Sequence, residues 1–499
     1  MSRPLQLTSW HRELANRFPD LPPTTVFVLA LYSFAMILCQ VVGLSTVSFF
    51  LSKHLRIAYH AVRKRLSEFY KEAPAKSGVH QGIKRQDFDV APCFAPLLRW
   101  VLSLWSGRSL PLAIDVTNLG ERFHVLCISV VVCGTGIPVA WKVLRGGEKD
   151  PWNPHWQTLL KHLKGAVPSD WTVIVLSDRG LESADLFAFI VGLDWHPLMR
   201  VKKGGKFRPK GWSNFYYFHE LIHRVGASFY AEGVAFTGQQ LSCTLLSCWS
   251  AGHAEPWLLL TDLPPEAANA VWYGLRTWIE QGFKVIKSGG WDWDKTRMDE
   301  PGRVERLWLV MAVATLWVVA VGAADEARER AQKELQELQR RMTESAEQAE
   351  QRRQRERYRQ ERQRAALAAR KAREQKRQEA KEQARAEKAK LQQAKAAAKK
   401  AAKAAALGGV IPETVTTKAK VGGGSVKAAK PVASAKPGPG LAADKGRLHR
   451  VSLRGLAVLQ AAWSRGENIL PQHLYPEPWP KPTHSASTLT EQEFLAQQT

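Results

Sequence analysis

The spacing of apolar and polar positions changes period several times along the chain. From Leu110 it is strand-like: LPLAIDVTN, FHVLCISVVVC and IPVAWKVL are β-branched, apolar segments separated by glycine-containing turns, which predicts three consecutive strands in a meander. A helix is predicted from Trp156 to Lys164, followed by a buried strand, WTVIVLSD, that ends at Asp178. ESADLFAFIVGL then reads as a helix with acids at its start, and WHPLMRVKK as another strand.

Three strands, helix, strand, helix, strand is the order of an α/β fold with a ribonuclease-H-like mixed sheet flanked by helices. FYAEGVAFT, LSCTLLSCWS and PWLLLTDL predict a β-rich insertion that interrupts this core before helical periodicity returns at Pro265. Ahead of the core, residues up to about Asp89 alternate apolar helical patterns with basic side chains. In TVSFFLSKHLRIAYHAVRKRLSEFY a helix ending near Leu55, a turn at Arg56, Ile57 and Ala58, and a second helix presenting Arg63 and Lys64 are compatible with a DNA-binding helix-turn-helix. An amphipathic core helix with a solvated basic face fits the same pattern equally well.

The expected organisation is a helical DNA-binding domain over 1–90 and a catalytic core in two parts, 91–202 and 265–324, around the β-rich insertion 203–264. A charged helical segment over 325–406, a flexible linker over 407–447 and a small helical segment over 448–499 follow.

Charge sharpens this picture. The chain has 499 residues and a formal net charge of +25, which favours a polyanionic partner. Residues 325–450 hold 33 Lys and Arg against 16 Asp and Glu, so +17 of the surplus lies in this quarter, whose Ala, Arg, Lys, Glu and Gln composition predicts a solvated helix. The six cysteines form no Cys-x-x-Cys pair, so neither a zinc ribbon nor a disulfide framework is suggested, and a reducing compartment fits best. No secretory signal pattern opens the chain, and the expected location is the cytoplasm. Residues 21–52 lack any charge and are long enough to cross a bilayer. Ser33, Gln40, Gly43, Ser45, Thr46 and Ser48 interrupt them, however, and two buried helices with no membrane partner are expected. The apolar run 307–324 is likewise expected to be a core helix.

Asp115 stands inside one apolar strand and Asp178 closes another, where a carboxylate is costly unless it is paired or coordinates a metal. Carboxylates at strand ends and on an adjacent helix are how a protein offers oxygen ligands to Mg²⁺, and two such ions can cleave and join phosphodiesters. In VWYGLRTWIEQGFKVIKSG, Tyr273, Arg276, Glu280 and Lys287 lie at offsets of 0, 3, 7 and 14. On a regular helix these positions fall within about 60° of arc, so one face would hold an acid, two bases and a phenol. Taken alone, such a face also reads as a surface laced with ion pairs.

The spacing Tyr-x2-Arg-x3-Glu-x6-Lys resembles the signature of the insertion-sequence-four-like DDE transposases, and WLLLTDLPP, RMDEPGRVERLWLVMAVA and LSDRGLESADLFAF are similar to blocks of that family in the same order. The resemblance spans residues 110–324 and implies metal-dependent strand cleavage at transposon ends with strand transfer to target DNA, in cut-and-paste transposition. It implies two Mg²⁺ or Mn²⁺ ions on Asp115, Asp178 and Glu280, with Tyr273, Arg276 and Lys287 on transposon-end phosphates. Trp257 matches a position where a relative stacks a flipped base, although a core role fits it too. The implied partners are double-stranded DNA, as terminal inverted repeats and target, and a second copy of the chain in a paired-end complex, for which the helical piece near 451–466 is a candidate dimerisation element. The long basic tail departs from the family pattern. A catalytically inactive DNA-binding regulator and another nuclease of the same fold remain the alternatives.

Overall fold

The chain opens with four helices, α1 (Leu5–Arg17), α2 (Pro23–Cys39), α3 (Leu44–Leu55) and α4 (Tyr59–Tyr70). The structure, a computed structural model, describes residues 4–405 and 450–497 except 83, 87, 149, 344–345, 478 and 482–485. The expected linker 407–447 lies outside the described residues.

The uncharged stretch is divided between α2 and α3, whose axes differ by 99° across a break that starts at Gln40 in a left-handed conformation. Most of α2 is buried, and Trp10 of α1 donates its indole N–H to Ser33 of α2 at 2.9 Å. Helices α3 and α4 are joined across Arg56, Ile57 and Ala58, with Arg56 also left-handed. Arg63 is partly buried and reaches back to the Ser45 hydroxyl at 2.9 Å, whereas Lys64 is exposed.

After α5 (Phe94–Ser103) come three antiparallel strands, β1 (Ser109–Leu119), β2 (Phe123–Val132) and β3 (Thr135–Arg145). Helix α6 (Asn153–Lys164) returns the chain to β4 (Thr172–Ser177), parallel to β1, and α7 (Ala184–Val191) returns it to β5 (His196–Arg200), parallel to β4. The spatial order β3-β2-β1-β4-β5 with these directions is ribonuclease-H-like, and crossover helices join the parallel pairs as they must. Helix α7 is capped by the Ser183 hydroxyl, which accepts the Leu186 amide at 3.2 Å, so the cap is a serine and not one of the acids beside it.

The insertion contributes β6 (Lys206–Pro209), β7 (Tyr216–Tyr217), β8 (Ser228–Ala235), β9 (Leu241–Cys248) and β10 (Trp257–Thr261). It extends the core sheet, because β10 pairs antiparallel with β5 through Leu259 with Arg200 and Leu260 with Met199. The result is one ten-stranded sheet in the order β3-β2-β1-β4-β5-β10-β9-β8-β6-β7. At the β3 edge, Glu305 accepts the Val143 amide on its side chain and the Trp141 indole on its carbonyl, both at 3.0 Å.

The segment carrying Tyr273, Arg276, Glu280 and Lys287 is not one regular helix. It runs as a 3-10 helix over Ala270–Thr277, an α-helix α8 (Trp278–Lys284) and a π turn over Val285–Gly289. Helix α9 (Pro301–Thr343) follows, with residues 307–324 buried as expected, and it continues through the boundary foreseen at 324. α10 (Ala346–Ala405) is the charged helix.

Two compact units result, one of 1–330 with 435–499 and the other of 331–434. Residues 1–90, expected as a domain of their own, belong to the same unit as the sheet: Trp10 stacks on Trp317 of α9 at 3.7 Å between ring centroids. α11 (Arg450–Arg465) belongs there too. Its apolar face, expected to pair two copies, is covered within the chain, where Trp463 meets Phe34 edge-on at 5.2 Å and Gly455 lies directly on Gly322 of α9. A Cβ on either glycine would collide with backbone of the opposite helix. Among the described residues after α11, one further helix is formed, α12 (Glu491–Ala496). In the second unit, the residues whose side chains are described are helical and mostly exposed, including Leu335, Leu338, Tyr358 and Leu367.

Candidate active site

Strand pairing brings the first two acids together. Ile114 of β1 is in register with Ser177 of β4, and since the strands are parallel, Asp115 and Asp178 emerge at neighbouring positions on adjacent strands. Asp115 belongs to the middle of the core sheet and its side chain is 17% exposed, while Asp178 just beyond β4 is 40% exposed and accepts the Arg179 amide at 2.7 Å.

Glu280 reaches them from α8, which lies against β3 at a glycine contact. A Cβ at Gly282 would strike the backbone of Gly136, so a side chain there would lift the helix, and Glu280 with it, off the sheet. Arg276 lies one turn earlier and is 11% exposed. Its Nη2 donates to Asp115 at 2.9 Å and stands 3.5 Å from Asp178, and its Nη1 donates to Glu280 at 2.8 Å. Three acids from three elements therefore share one guanidinium.

The charge balance is negative. Burial, together with the charges of Asp178 and Glu280, raises the Asp115 carboxyl above its ordinary value against the pull of Arg276 and the Val116 amide. Burial opposes the Arg276 charge, yet Asp115, Tyr273, Asp178 and Glu280 outweigh it and hold the guanidinium firmly protonated. Among the described residues no three His, Cys, Asp or Glu side chains are arranged as a ready metal cage. The donor set nevertheless suits a hard divalent cation: it is all carboxylate oxygen, and three acids against one arginine leave excess negative charge.

The other candidates are placed less uniformly. Lys287 is half-buried in the π turn, where burial lowers its pKa while Asp294 and Asp115 draw it back up, so it stands in the field of the acids. Tyr273, foreseen as a phosphate contact, is 3% exposed, and burial drives its phenol pKa well up. Trp257, matched to a base-stacking position with a core role as the alternative, is half-buried at the start of β10 and meets Tyr273 edge-on at 5.5 Å. These two form an aromatic pair, and the Tyr273 phenol lies in the field of Arg276. Arg63 and Lys64 belong to α4 and are not among the side chains gathered around Arg276. His124 bonds Asn118 at 2.8 Å and His196 bonds Asp262 at 2.9 Å, so each has its own partner.

Some participants carried no signal in the spacing. Arg200 on β5 acts on the Tyr273 phenol, and Arg179 beside Asp178 pairs with Glu255 at 3.0 Å. Asn269 caps the 3-10 segment, accepting the Val271 amide at 2.9 Å. An asparagine ahead of a helical run is a sequence-level cap signal that marks this position in retrospect.

Residues 117–317 match a family model described as a transposase DDE domain. The match spans about two-fifths of the chain, includes Asp178, Tyr273, Arg276, Glu280 and Lys287, and begins two residues after Asp115. It supports a DDE transposase domain in this segment. Among solved structures, the chain is similar to a cryo-EM structure of the piggyBac transposase synaptic complex with hairpin DNA, at 12% identity and a TM-score of 0.34, covering 62% of this chain and 70% of that one. No curated protein sequence matches the chain.

Proposed function

We propose that the protein is a DDE transposase that cleaves DNA at the ends of its element and transfers the freed strand to target DNA by cut-and-paste transposition. The observation that carries this reading is the meeting of Asp115, Asp178 and Glu280 on Arg276 in a ribonuclease-H-like sheet. The matched transposase segment and the Tyr-Arg-Glu-Lys spacing point the same way.

In this mechanism Asp115, Asp178 and Glu280 would hold two Mg²⁺ or Mn²⁺ ions. When bound, such ions activate the attacking oxygen and stabilise the leaving one. Asp115, rooted in a central strand, supplies the rigid ligand, while Asp178 and Glu280, more open to solvent, face the DNA. Arg276 and Lys287 bring positive charge to the phosphate that approaches the acids. Tyr273 is buried one turn before Arg276, and Trp257, packed on it, would stack a displaced base. No covalent protein intermediate is required; a 3′ hydroxyl freed at the element's end is the nucleophile of the second step. The basic helix α10 and the α3–α4 pair, with Arg63 and Lys64, add contacts to DNA phosphates. Two copies hold the two ends, in the cytoplasm at the nucleoid.

The test is cleavage of labelled DNA carrying the element's own ends, in Mg²⁺ or Mn²⁺, by the wild type and by Asp178→Ala and Glu280→Ala. The wild type is expected to nick at the element boundary while both variants bind without cutting. A wild type that binds but never cuts overturns the enzymatic reading, and cutting that survives both substitutions overturns the site.

A further inference from the structure

Between α11 and α12 the sequence shows no helix or strand periodicity, yet the described residues on either side of this stretch are fastened to the core. At one end Leu474 is fully buried, its amide donating to the Leu104 carbonyl at 2.7 Å and its carbonyl accepting the Ser106 amide at 3.2 Å. At the other end Phe494 is buried against Trp212 and Tyr216, with ring centroids 5.1 and 4.9 Å away. There the Glu491 carboxylate also accepts the Ser213 amide and the Tyr216 hydroxyl, each at 2.7 Å.

Between these anchors the strap meets the segment that carries Arg276. Trp479 lies against Trp272 at 5.3 Å between centroids, and the Trp272 indole N–H donates to the Pro480 carbonyl at 2.8 Å. Asn269, itself buried, donates through Nδ2 to the Lys481 carbonyl at 2.9 Å while its Oδ1 caps the Val271 amide at 2.9 Å. One side chain thus closes the 3-10 helix and holds the strap. Further along, the Ser487 amide donates to the Tyr230 carbonyl at 2.7 Å, and the Tyr230 hydroxyl accepts the Ala270 amide at 3.1 Å.

A 3-10 helix is strained beyond about three or four residues, and this one has eight. Relaxing it to an α-helix changes the turn by about 20° per residue, or about 120° between Ala270 and Arg276, enough to carry the guanidinium away from Asp115. Something outside the segment must hold it, and the contacts at its first residues come from the strap and from Tyr230.

We propose that the C-terminal strap is a positioning element for the active site: Trp479 and the carbonyls of Pro480 and Lys481 hold residues 270–277 in the 3-10 form that aims Arg276 at Asp115 and Glu280. The catalytic consequence rests on the transposase reading; the conformational one does not. The experiment uses full-length Trp479→Ala, Trp479→Phe and Asn269→Asp, the last keeping the cap acceptor while deleting the donor to Lys481. Hydrogen exchange and nicking are measured on each. Trp479→Ala and Asn269→Asp are expected to speed exchange over 270–284 by about tenfold relative to the strands of the sheet. Nicking should fall by about tenfold with DNA affinity changed less than about twofold, and Trp479→Phe should restore both. Wild-type exchange over 270–284 in both variants overturns the proposal, as does a rise shared equally by the whole sheet or a Phe variant as impaired as the Ala one. If the wild type does not nick, the functional reading fails, and the exchange data alone decide the strap's role.

Discussion

Arg276 and Asp115 are 161 residues apart in the chain and 2.9 Å apart in the fold, joined by the ion pair on which the rest of the site is organised. Replacing Arg276 with alanine leaves a largely buried aspartate beside two other acids without its cation. Removing one partner of a buried pair costs about 3 kcal/mol, expected as a lower melting temperature. Manganese should then recover more stability in Arg276→Ala than in the wild type, because a ligand that binds the native state stabilises it in proportion to its affinity. Equal melting temperatures with and without the arginine would remove it from this role.

The helix α10 is a candidate polyelectrolyte. If it binds phosphates, deleting 346–405 should flatten the dependence of DNA affinity on salt, lowering the slope of log K against log salt by several units and weakening all DNA sequences alike. An unchanged slope would make it a spacer.

Glu72 ties the end of α4 to α9, accepting from Arg303 at 2.8 and 2.9 Å, with Arg306 at 3.6 Å. Burial acts to raise its carboxyl, but the hydrogen bond and charges of the two arginines win and hold it below the ordinary 4.5. A depressed folded pKa stabilises the protein above pH 4.5, and the contribution is lost as pH falls through the folded value. Glu72→Gln should therefore lower stability at neutral pH by less than about 1 kcal/mol, the pair being partly solvated, and match the wild type in acid. Denaturant melts at several pH values read this directly.

Gly455→Ala tests the crossing of α9 and α11. With no room for a methyl against the Val318 carbonyl, the helices must separate, at a cost of about 1–3 kcal/mol despite the better helix propensity of alanine. A melting temperature equal to the wild type's would mean that α11 docks elsewhere.

The sheet was legible because strands buried on both faces announce themselves: β1, β2, β3 and β4 fall where LPLAIDVTN, FHVLCISVVVC, IPVAWKVL and WTVIVLSD place them. β6 and β7 escaped notice, being four and two residues long and rich in lysine, proline and tyrosine. Asp115 and Asp178 stood out as charges in apolar surroundings. The Tyr273 to Lys287 segment was traced at the right residues with the wrong helix, since periodicity cannot distinguish a regular turn from one held in 3-10 form by partners that arrive two hundred residues later. The burial of Tyr273 followed the same limit. Helical spacing put it on one face with Arg276, and the tertiary fold turned that face inward at its first residue. The strap was the least legible part, because it recognises Trp272 and Asn269 with main-chain carbonyls, which every residue possesses.

The two ends of the ten-stranded order bear on how this protein behaves when crowded. An unpaired strand edge is a template for the next molecule, and the hazard grows with its length and flatness. Here one outer strand is only Tyr216 and Tyr217, too short to seed a ladder, and along the other the Glu305 carboxylate already occupies the Val143 amide. At these positions a second copy of the chain finds little on which to extend the sheet.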